Sequence, residues 1–442
     1  DGLWADQEPG LLWRWIPTNE ALFLAGRHGD ARPSASNEAD KAPWKSQPGD
    51  CVEYRGANRD GVLPGVSIST DWDAHPPKML WRKKVGPGWS GIILVDGHLV
   101  TQEQRDTAEA VVCYDAATGE EVWAHEDPVR FEEDLAGPGP RGTPTFADGH
   151  IYSFGALGQL NCLKAETGEV VWSHDCVADV EVTKSDLPQW GYSVSPLVVD
   201  GLVIVFAGGS NGKSVLAYKT SDGELAWKQA GGKQSYSSPQ LMTLHGKKQV
   251  LMHDTSALRA LNIADGAQLW EFPSTGALSL PMLQPHAAGS DSVAFSTEPG
   301  VAVLDIKQDG DKWSADARWT SNKLRAGFSD FVLNKGCLFG FDDGKLCCFD
   351  LTDGKRLWLK GRLGHDQILS LPDQDVLLIS TEEGDVVLVS ADRQGYKELG
   401  RFKAIEGKTW NSPVLVGGHL FLRNAAEMAA FDVSPPHSAP TN

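Results

Sequence analysis

The chain has 442 residues, 41% of them apolar and 22% charged, with 47 Gly, 25 Pro and a formal net charge of −19. So acidic a surface repels phosphate backbones and anionic headgroups, which excludes nucleic acid as a partner and leaves membrane contact to a separate anchor. No run of 18 apolar residues reads as a transmembrane helix, and the seven cysteines show neither a disulfide framework nor zinc-ligand spacing.

Residues 1–75 contain no repeat. Within LLWRWIPTNEALFLAG (11–26) a short amphipathic helix is expected after Pro17-Thr18, and the polar, turn-rich RHGDARPSASNEADKAP (27–43) reads as a linker. CVEYRGANRDGVLPGVSISTDW (51–72) then leads into KMLWRKK (78–84), a lone strand centred on Trp81.

From there one unit recurs: an apolar strand, a polar turn with Gly, then a strand ending in Trp. It reads VVCYDAATGEEVW (111–123), LNCLKAETGEVVW (160–172), VLAYKTSDGELAW (215–227), LRALNIADGAQLW (258–270) and LCCFDLTDGKRLW (346–358). A degraded copy (301–313) has its closing strand delayed to Trp319, and a last copy (386–402) ends in Phe402. The terminal aromatics stand 39 to 55 residues apart, the spacing of propeller blades. Between these units lie TPTFADGHIYSF (143–154), SPLVVDGLVIVF (195–206) and SPVLVGGHLFL (412–422), hairpins about Asp-Gly or Gly-Gly turns. Two hairpins per period make a four-stranded antiparallel blade. The final repeat, ending MAAFD (428–432), lacks its Trp strand, and KMLWRKK supplies it. The expected fold is all-β: an eight-bladed propeller over residues 76–434, closed by N- and C-terminal strands. An N-terminal extension (1–75) precedes it and a disordered tail (435–442) follows.

The pattern A-x-D-x-x-T-G-x-x-x-W resembles the tryptophan-docking motif of PQQ (pyrroloquinoline quinone) dehydrogenases and their non-enzymatic relatives. The resemblance covers roughly residues 78–433. It implies that Trp81, Trp123, Trp172, Trp227, Trp270, Trp319 and Trp358 tie neighbouring blades together, a structural role. It also implies an extracytoplasmic, periplasmic location, with a membrane anchor upstream of Asp1. A strap packing Trp13 and Trp15 against the ring is the alternative for the first residues.

Ligands of propellers sit near the axis, so the residue three before the proline position of each Ser/Pro lead-in is expected at the channel mouth. Those positions are Trp89, Arg141, Ser193, Tyr236, Leu278, Phe328, Leu369 and Trp410, with Tyr192 beside Ser193. Of these, Trp89, Arg141, Tyr192, Tyr236, Phe328 and Trp410 are the candidate ligand-binding residues, suited to stacking a planar ligand or gripping a peptide. A rim carrying Glu298, Asp342, Asp343, Glu382, Glu383 and Glu427, with Arg105 and Lys213 as its cations, favours a basic partner.

PQQ dehydrogenases need a catalytic Asp and a Ca²⁺ held by Glu and Asn, and many carry a disulfide between adjacent cysteines. Here no Asp stands out as a base, no metal-ligand spacing appears, and His98, His150 and His419 fall at hairpin turns. Cys347-Cys348 reads as core, because successive strand residues face opposite ways. Cys348 aligns with Cys113, Cys162, Ala217, Ala260, Val303 and Ala430, a slot for small side chains. The sequence therefore reads as a monomeric, non-enzymatic scaffold. It has no assigned catalytic residue, metal or cofactor and binds a protein or peptide, like the lipoprotein subunit of the outer-membrane β-barrel assembly machinery. A PQQ- and calcium-dependent dehydrogenase of alcohols or sugars is the alternative.

Overall fold

Period-two apolar strands joined by tight turns bury one face of each hairpin against the next, and the computed structural model shows eight such four-stranded antiparallel sheets arranged as the blades of a propeller. It describes residues 17–27, 43–182, 187–209, 213–232, 234–273, 281–297 and 300–436. Blade 1 runs from Ile93 to Asp127, blade 2 from Thr145 to Asp175, and blade 3 from Leu197 to Gln229. Blades 4 and 5 run from Gln240 to Pro273 and from His286 to Ser321. Blades 6 and 7 cover Val332–Arg362 and Gln367–Lys403. Blade 8 joins the ends of the chain: Val414–Val416, His419–Arg423 and Glu427–Asp432 pair in turn, and Lys78–Lys84 adds the outermost strand. Both predicted hairpin classes form. Asp96-Gly97, Asp148-Gly149 and Asp200-Gly201 all have positive φ, as a two-residue hairpin turn demands.

The tryptophans link one blade to the next. The indole N–H of Trp81 donates to the Ala116 carbonyl at 2.9 Å, Trp123 to Ala165 at 2.9 Å, Trp172 to Thr220 at 3.0 Å and Trp227 to Ile263 at 2.9 Å. Trp319 and Trp358 reach Leu351 and Asp392, each at 2.9 Å. In five of these six contacts the acceptor opens the polar turn of the next blade, and the Gly three residues later lies under the indole ring. At Gly266, for instance, φ is +70° and an added Cβ would stand 2.5 Å from Trp227. Trp270 differs. It bonds Gln249 of its own blade at 2.8 Å, because the outer hairpin of blade 5 extends to Asp309-Gly310 and offers no such turn.

Within each blade the tryptophan faces the predicted small slot. Cys113, Cys162, Ala217, Ala260, Val303, Cys348 and Ala430 pair with Trp123, Trp172, Trp227, Trp270, Trp319, Trp358 and Trp81. The slot is small because its cross-strand neighbour is an indole. Cys347 and Cys348 point into two different inter-blade cores, so their thiols diverge. Blade 7 departs from expectation. Its tryptophan position is held by Gly400, paired with Leu388, whereas Phe402 pairs with Val386 and is not the substitute.

The helix expected after Pro17-Thr18 spans Asn19–Arg27, with the Thr18 hydroxyl accepting from the Ala21 amide at 3.1 Å. It docks on blade 1 through buried Phe23, an Arg27–Glu121 pair at 3.1 Å and Glu20 against Arg130 at 2.9 Å. Trp13, Trp15, the linker from residue 28 to 42 and the tail from residue 437 lie outside the described residues.

Residues 51–69 are part of the ring. The Cys51 carbonyl accepts from Leu94 in blade 1 at 2.8 Å, and the Val52 carbonyl accepts from Phe146 in blade 2 at 2.8 Å. The Arg59 guanidinium donates to Ser195 and Pro196 carbonyls at the start of blade 3, both at 2.9 Å. Gln240 of blade 4 donates to Asn58 at 2.7 Å. Arg55 pairs with buried Asp330 and donates to Ile368 of blade 7 at 3.1 Å, and Ser69 donates to Val433 beyond blade 8 at 2.8 Å. The segment thus crosses the inner strands and places its own Tyr54 in the wall of the axial cavity.

Candidate functional site: the axial cavity

Around the axis, the first residues of the inner strands are bound to their neighbours by hydroxyls. The Gly91 amide donates to Thr143 Oγ1 at 3.0 Å, the Thr143 amide to Ser195 Oγ at 3.0 Å, and the Ser195 amide to Ser238 Oγ at 2.8 Å. The small Ser/Thr of these three lead-ins is thereby explained, since its hydroxyl takes the strand-opening N–H of the preceding blade, whereas Ser412 of blade 8 bonds the Gln367 side chain at 3.3 Å. Inside this collar lies a cavity of about 190 Å³.

Five of the six candidate residues line it: Trp89, Arg141, Tyr236, Phe328 and Trp410. Trp89 and Trp410 sit 4.8 Å apart between ring centroids at 40°, and Phe328 meets Trp410 edge-on at 5.0 Å. Each indole is anchored, Trp89 by the Ala136 carbonyl at 2.9 Å and Trp410 by Glu382 at 2.8 Å. Lys408 lies 4.6 Å above the Trp410 ring.

Tyr192 is not among them. It is buried between blades 2 and 3, its hydroxyl donating to Ala207 at 2.7 Å and its ring 5.1 Å from Phe154. Extended chain sends successive side chains opposite ways, so with Ser193 on the cavity Tyr192 must enter the core. Leu369 likewise packs in the core around blades 7 and 8, and Gln367 reaches the cavity in its place. Pro372, on which that alignment rested, sits in the far turn of the hairpin. Leu278 and Glu298 fall outside the described residues.

Residues not anticipated complete the wall: Tyr54 from the N-terminal segment, Trp190, Met282 and Gln284, and Glu133 with Leu135 and Ala136 from the loop after blade 1. Trp190 stands 5.2 Å from Tyr236. Two signals were in the sequence: Trp190 is a tryptophan outside the repeat register, and Met282 and Gln284 stand three and one before Pro285, which leads into the strand from His286. Glu133 bonds Arg141 at 2.6 Å and accepts from the Leu135 and Ala136 amides, each at 2.7 Å. Burial lowers the Arg141 guanidinium from its ordinary value, partly offset by Glu133, and burial raises the Tyr236 hydroxyl. The cavity is thus neutral at its wall.

The rim carboxylates are largely engaged. Asp342 bonds Arg356 at 2.7 Å, Glu427 bonds Arg82 at 3.1 Å, and Asp343 lies 3.8 Å from Arg325. Arg105 is buried against Glu103 and Glu121, and Lys213 pairs with Glu181. A quinone–calcium centre needs converging carboxylates and amides. Among the described residues no three His, Cys, Asp or Glu side chains converge on one point, and the cavity's single carboxylate already has its partners. The residues present do not fit that group.

Similar structures share the architecture. BamB from Moraxella catarrhalis superposes with a TM-score of 0.60 at 16% identity, covering 82% of this chain and 99% of that one. The quinohemoprotein alcohol dehydrogenase from Comamonas testosteroni gives 0.64 at 13% identity, covering 96% and 85%. A computationally designed protein, Ika8, gives 0.56 at 11% identity, covering 80% and 100%. At such identities the likeness establishes the fold alone. No curated protein sequence matches the chain. Residues 70–153 and 107–360, which together take in every tryptophan of the repeat from Trp81 to Trp358 and blades 1 to 5 entire, match the family described as outer membrane protein assembly factor BamB, and the chain belongs to that family.

Proposed function

We propose that this protein is a non-catalytic, extracytoplasmic propeller that binds a protein partner or ligand through its axial mouth. The observation that carries the reading is the cavity wall: anchored aromatic rings around a space whose one carboxylate is already bonded to Arg141 and two backbone amides. Such a wall offers stacking surface and hydrogen bonds but no general base and no ligand set for a divalent cation. In this reading the six indoles that bond the next blade, Trp81, Trp123, Trp172, Trp227, Trp319 and Trp358, act as the docking tryptophans of the family and keep the collar rigid, while Trp270 packs within its own blade. The net charge of −19 favours a basic partner. No helix of the described residues is long and apolar enough to cross a membrane, so attachment would come from an anchor elsewhere. The family's name points to work beside the outer membrane, and a monomer suits a ring whose last blade is completed by its own chain.

The competing reading, a quinoprotein dehydrogenase, draws on fold likeness alone. Titration with PQQ and Ca²⁺, following tryptophan fluorescence and dye-linked oxidation of alcohols and glucose, separates the two. The binding reading expects neither saturable quenching nor turnover. Turnover that disappears in Trp410→Ala would overturn it.

A further inference from the structure

Three residues that line the cavity each carry a buried polar atom with no hydrogen-bond partner among the described residues: Trp190 Nε1, Ser193 Oγ and Gln284 Oε1. Gln284 is only 2% exposed. A buried polar group without a partner is costly, and such groups are rare unless something else satisfies them. Together the three place one N–H donor, one hydroxyl and one carbonyl acceptor in the side chains that wall the same space. Facing them are the rings of Trp89, Trp410, Phe328 and Tyr236.

The chemistry of an occupant follows from four features. It is uncharged, because Arg141 and Glu133 neutralise each other. It has at least one apolar face, to lie against the indoles. It carries both donors and acceptors at short spacing, to meet the three orphan atoms. It is small: about 190 Å³ lies below the roughly 300–1,000 Å³ usual for clefts that take drug-sized ligands. A peptide added as a strand needs free backbone N–H groups along an edge. Here strand-opening amides are taken by the Thr143, Ser195 and Ser238 hydroxyls. A pyranose ring meets all four conditions, with C–H faces for the indoles and hydroxyls that both donate and accept.

We propose that the axial cavity binds one ring of a neutral sugar, stacked on Trp89 and Trp410 and hydrogen-bonded by Trp190, Ser193 and Gln284, without oxidising it. This inference rests on the reading of the axial mouth as a binding site and names its ligand.

The test is titration of the full chain with glucose, galactose, mannose, N-acetylglucosamine and their disaccharides, following tryptophan fluorescence and calorimetry up to about 10 mM. Saturable binding of at least one sugar is expected, weakened about tenfold in Trp410→Ala and several-fold in Gln284→Leu. Trp190→Phe and Ser193→Ala remove one polar atom each while keeping the packing, so a folded variant that still loses affinity carries the argument. No binding by any sugar overturns the inference, as does binding unchanged in all four variants. Saturable binding of neutral peptides alone, lost in Trp410→Ala, overturns the sugar and keeps the mouth as the site. Sugar oxidation in the presence of PQQ and Ca²⁺ keeps the ligand class and overturns the non-catalytic reading.

Discussion

Trp72 lies over Gly400: a Cβ added to that glycine would meet the indole Cε3 at 3.1 Å. Gly400 occupies the position that holds a tryptophan in the other seven blades. The reason lies in blade 8. A docking indole needs the polar turn between the third and fourth strands of the next blade, and in blade 8 those strands come from opposite ends of the chain. There is no turn to receive it. Trp72, six residues before the closing strand, enters from outside and packs edge-on to Phe402 at 5.2 Å.

Trp72→Ala is therefore expected to destabilise the ring by about 3–5 kcal/mol, the cost of deleting a buried aromatic. Urea unfolding by circular dichroism measures it. If the loss is below about 1 kcal/mol, Trp72 is not part of the joint between blades 7 and 8.

Trp227→Ala should cost a similar amount, whereas Trp358→Ala should cost less because that indole is partly exposed. Gly266→Ala carries a double penalty, from positive φ and from collision with Trp227 at 2.5 Å. Melting temperatures of the three variants, ranked together, check the assignment.

Arg55 and Asp330 form a buried pair, with His286 Nε2 2.9 Å from the carboxylate. Burial alone would raise the Asp330 carboxyl, but Arg55 and His286 outweigh it and hold the group below its usual value. Arg55→Ala leaves that charge without its main partner and should cost about 3–5 kcal/mol. Asp330→Asn combined with Arg55→Ala should recover part of the loss, as a double-mutant cycle would record.

Two buried carboxyls give stability a measurable pH dependence. Burial, first of all, pushes Glu109 and Asp366 up to about 7, with the Asp127 and Glu382 charges adding to it. The folded state then holds more protons than the unfolded state between about pH 4 and pH 7, so each group makes stability fall as pH rises through that window. His253, pushed down to about 4 by burial, works in the opposite direction. The quantity to compare is thus the difference between wild type and variant. Relative to wild type, Glu109→Gln and Asp366→Asn should each gain stability as pH rises from about 4.5 to about 7. A difference independent of pH would show that the carboxyl titrates normally.

The ring was legible in the sequence because the repeat announces itself at every level. The Asp-Gly turns, the strand periods and the tryptophans agree in register, and even the small slot opposite each indole can be read by alignment. The mouth was legible where a Ser-Pro lead-in is intact, as at Tyr236 and Trp410. It failed at Leu369, where a proline in the far turn imitated the lead-in, and at Tyr192, one residue out of phase. Tyr54 and Glu133 could not be found that way, because they come from segments outside the repeat, brought to the axis by tertiary contacts that no local pattern encodes. Gln284 was missed for another reason: the lead-in of blade 5 is at Pro285, directly before the strand from His286, and Pro281 upstream imitated it, so Leu278 was read where Met282 stands.

The contact between Arg82 and Glu427 spans 345 residues. A ribosome adding about 5–20 residues per second needs on the order of 20–70 s to make the chain between them. For that interval the KMLWRKK strand has been made and its partner has not. Met79 and Leu80 remain more than 40% exposed even after folding, and before closure the whole strand offers an unpaired edge to any other β-segment nearby. Its three lysines and one arginine are the countermeasure: like charges on two copies of that edge repel, and the strand waits for the last residues of its own chain.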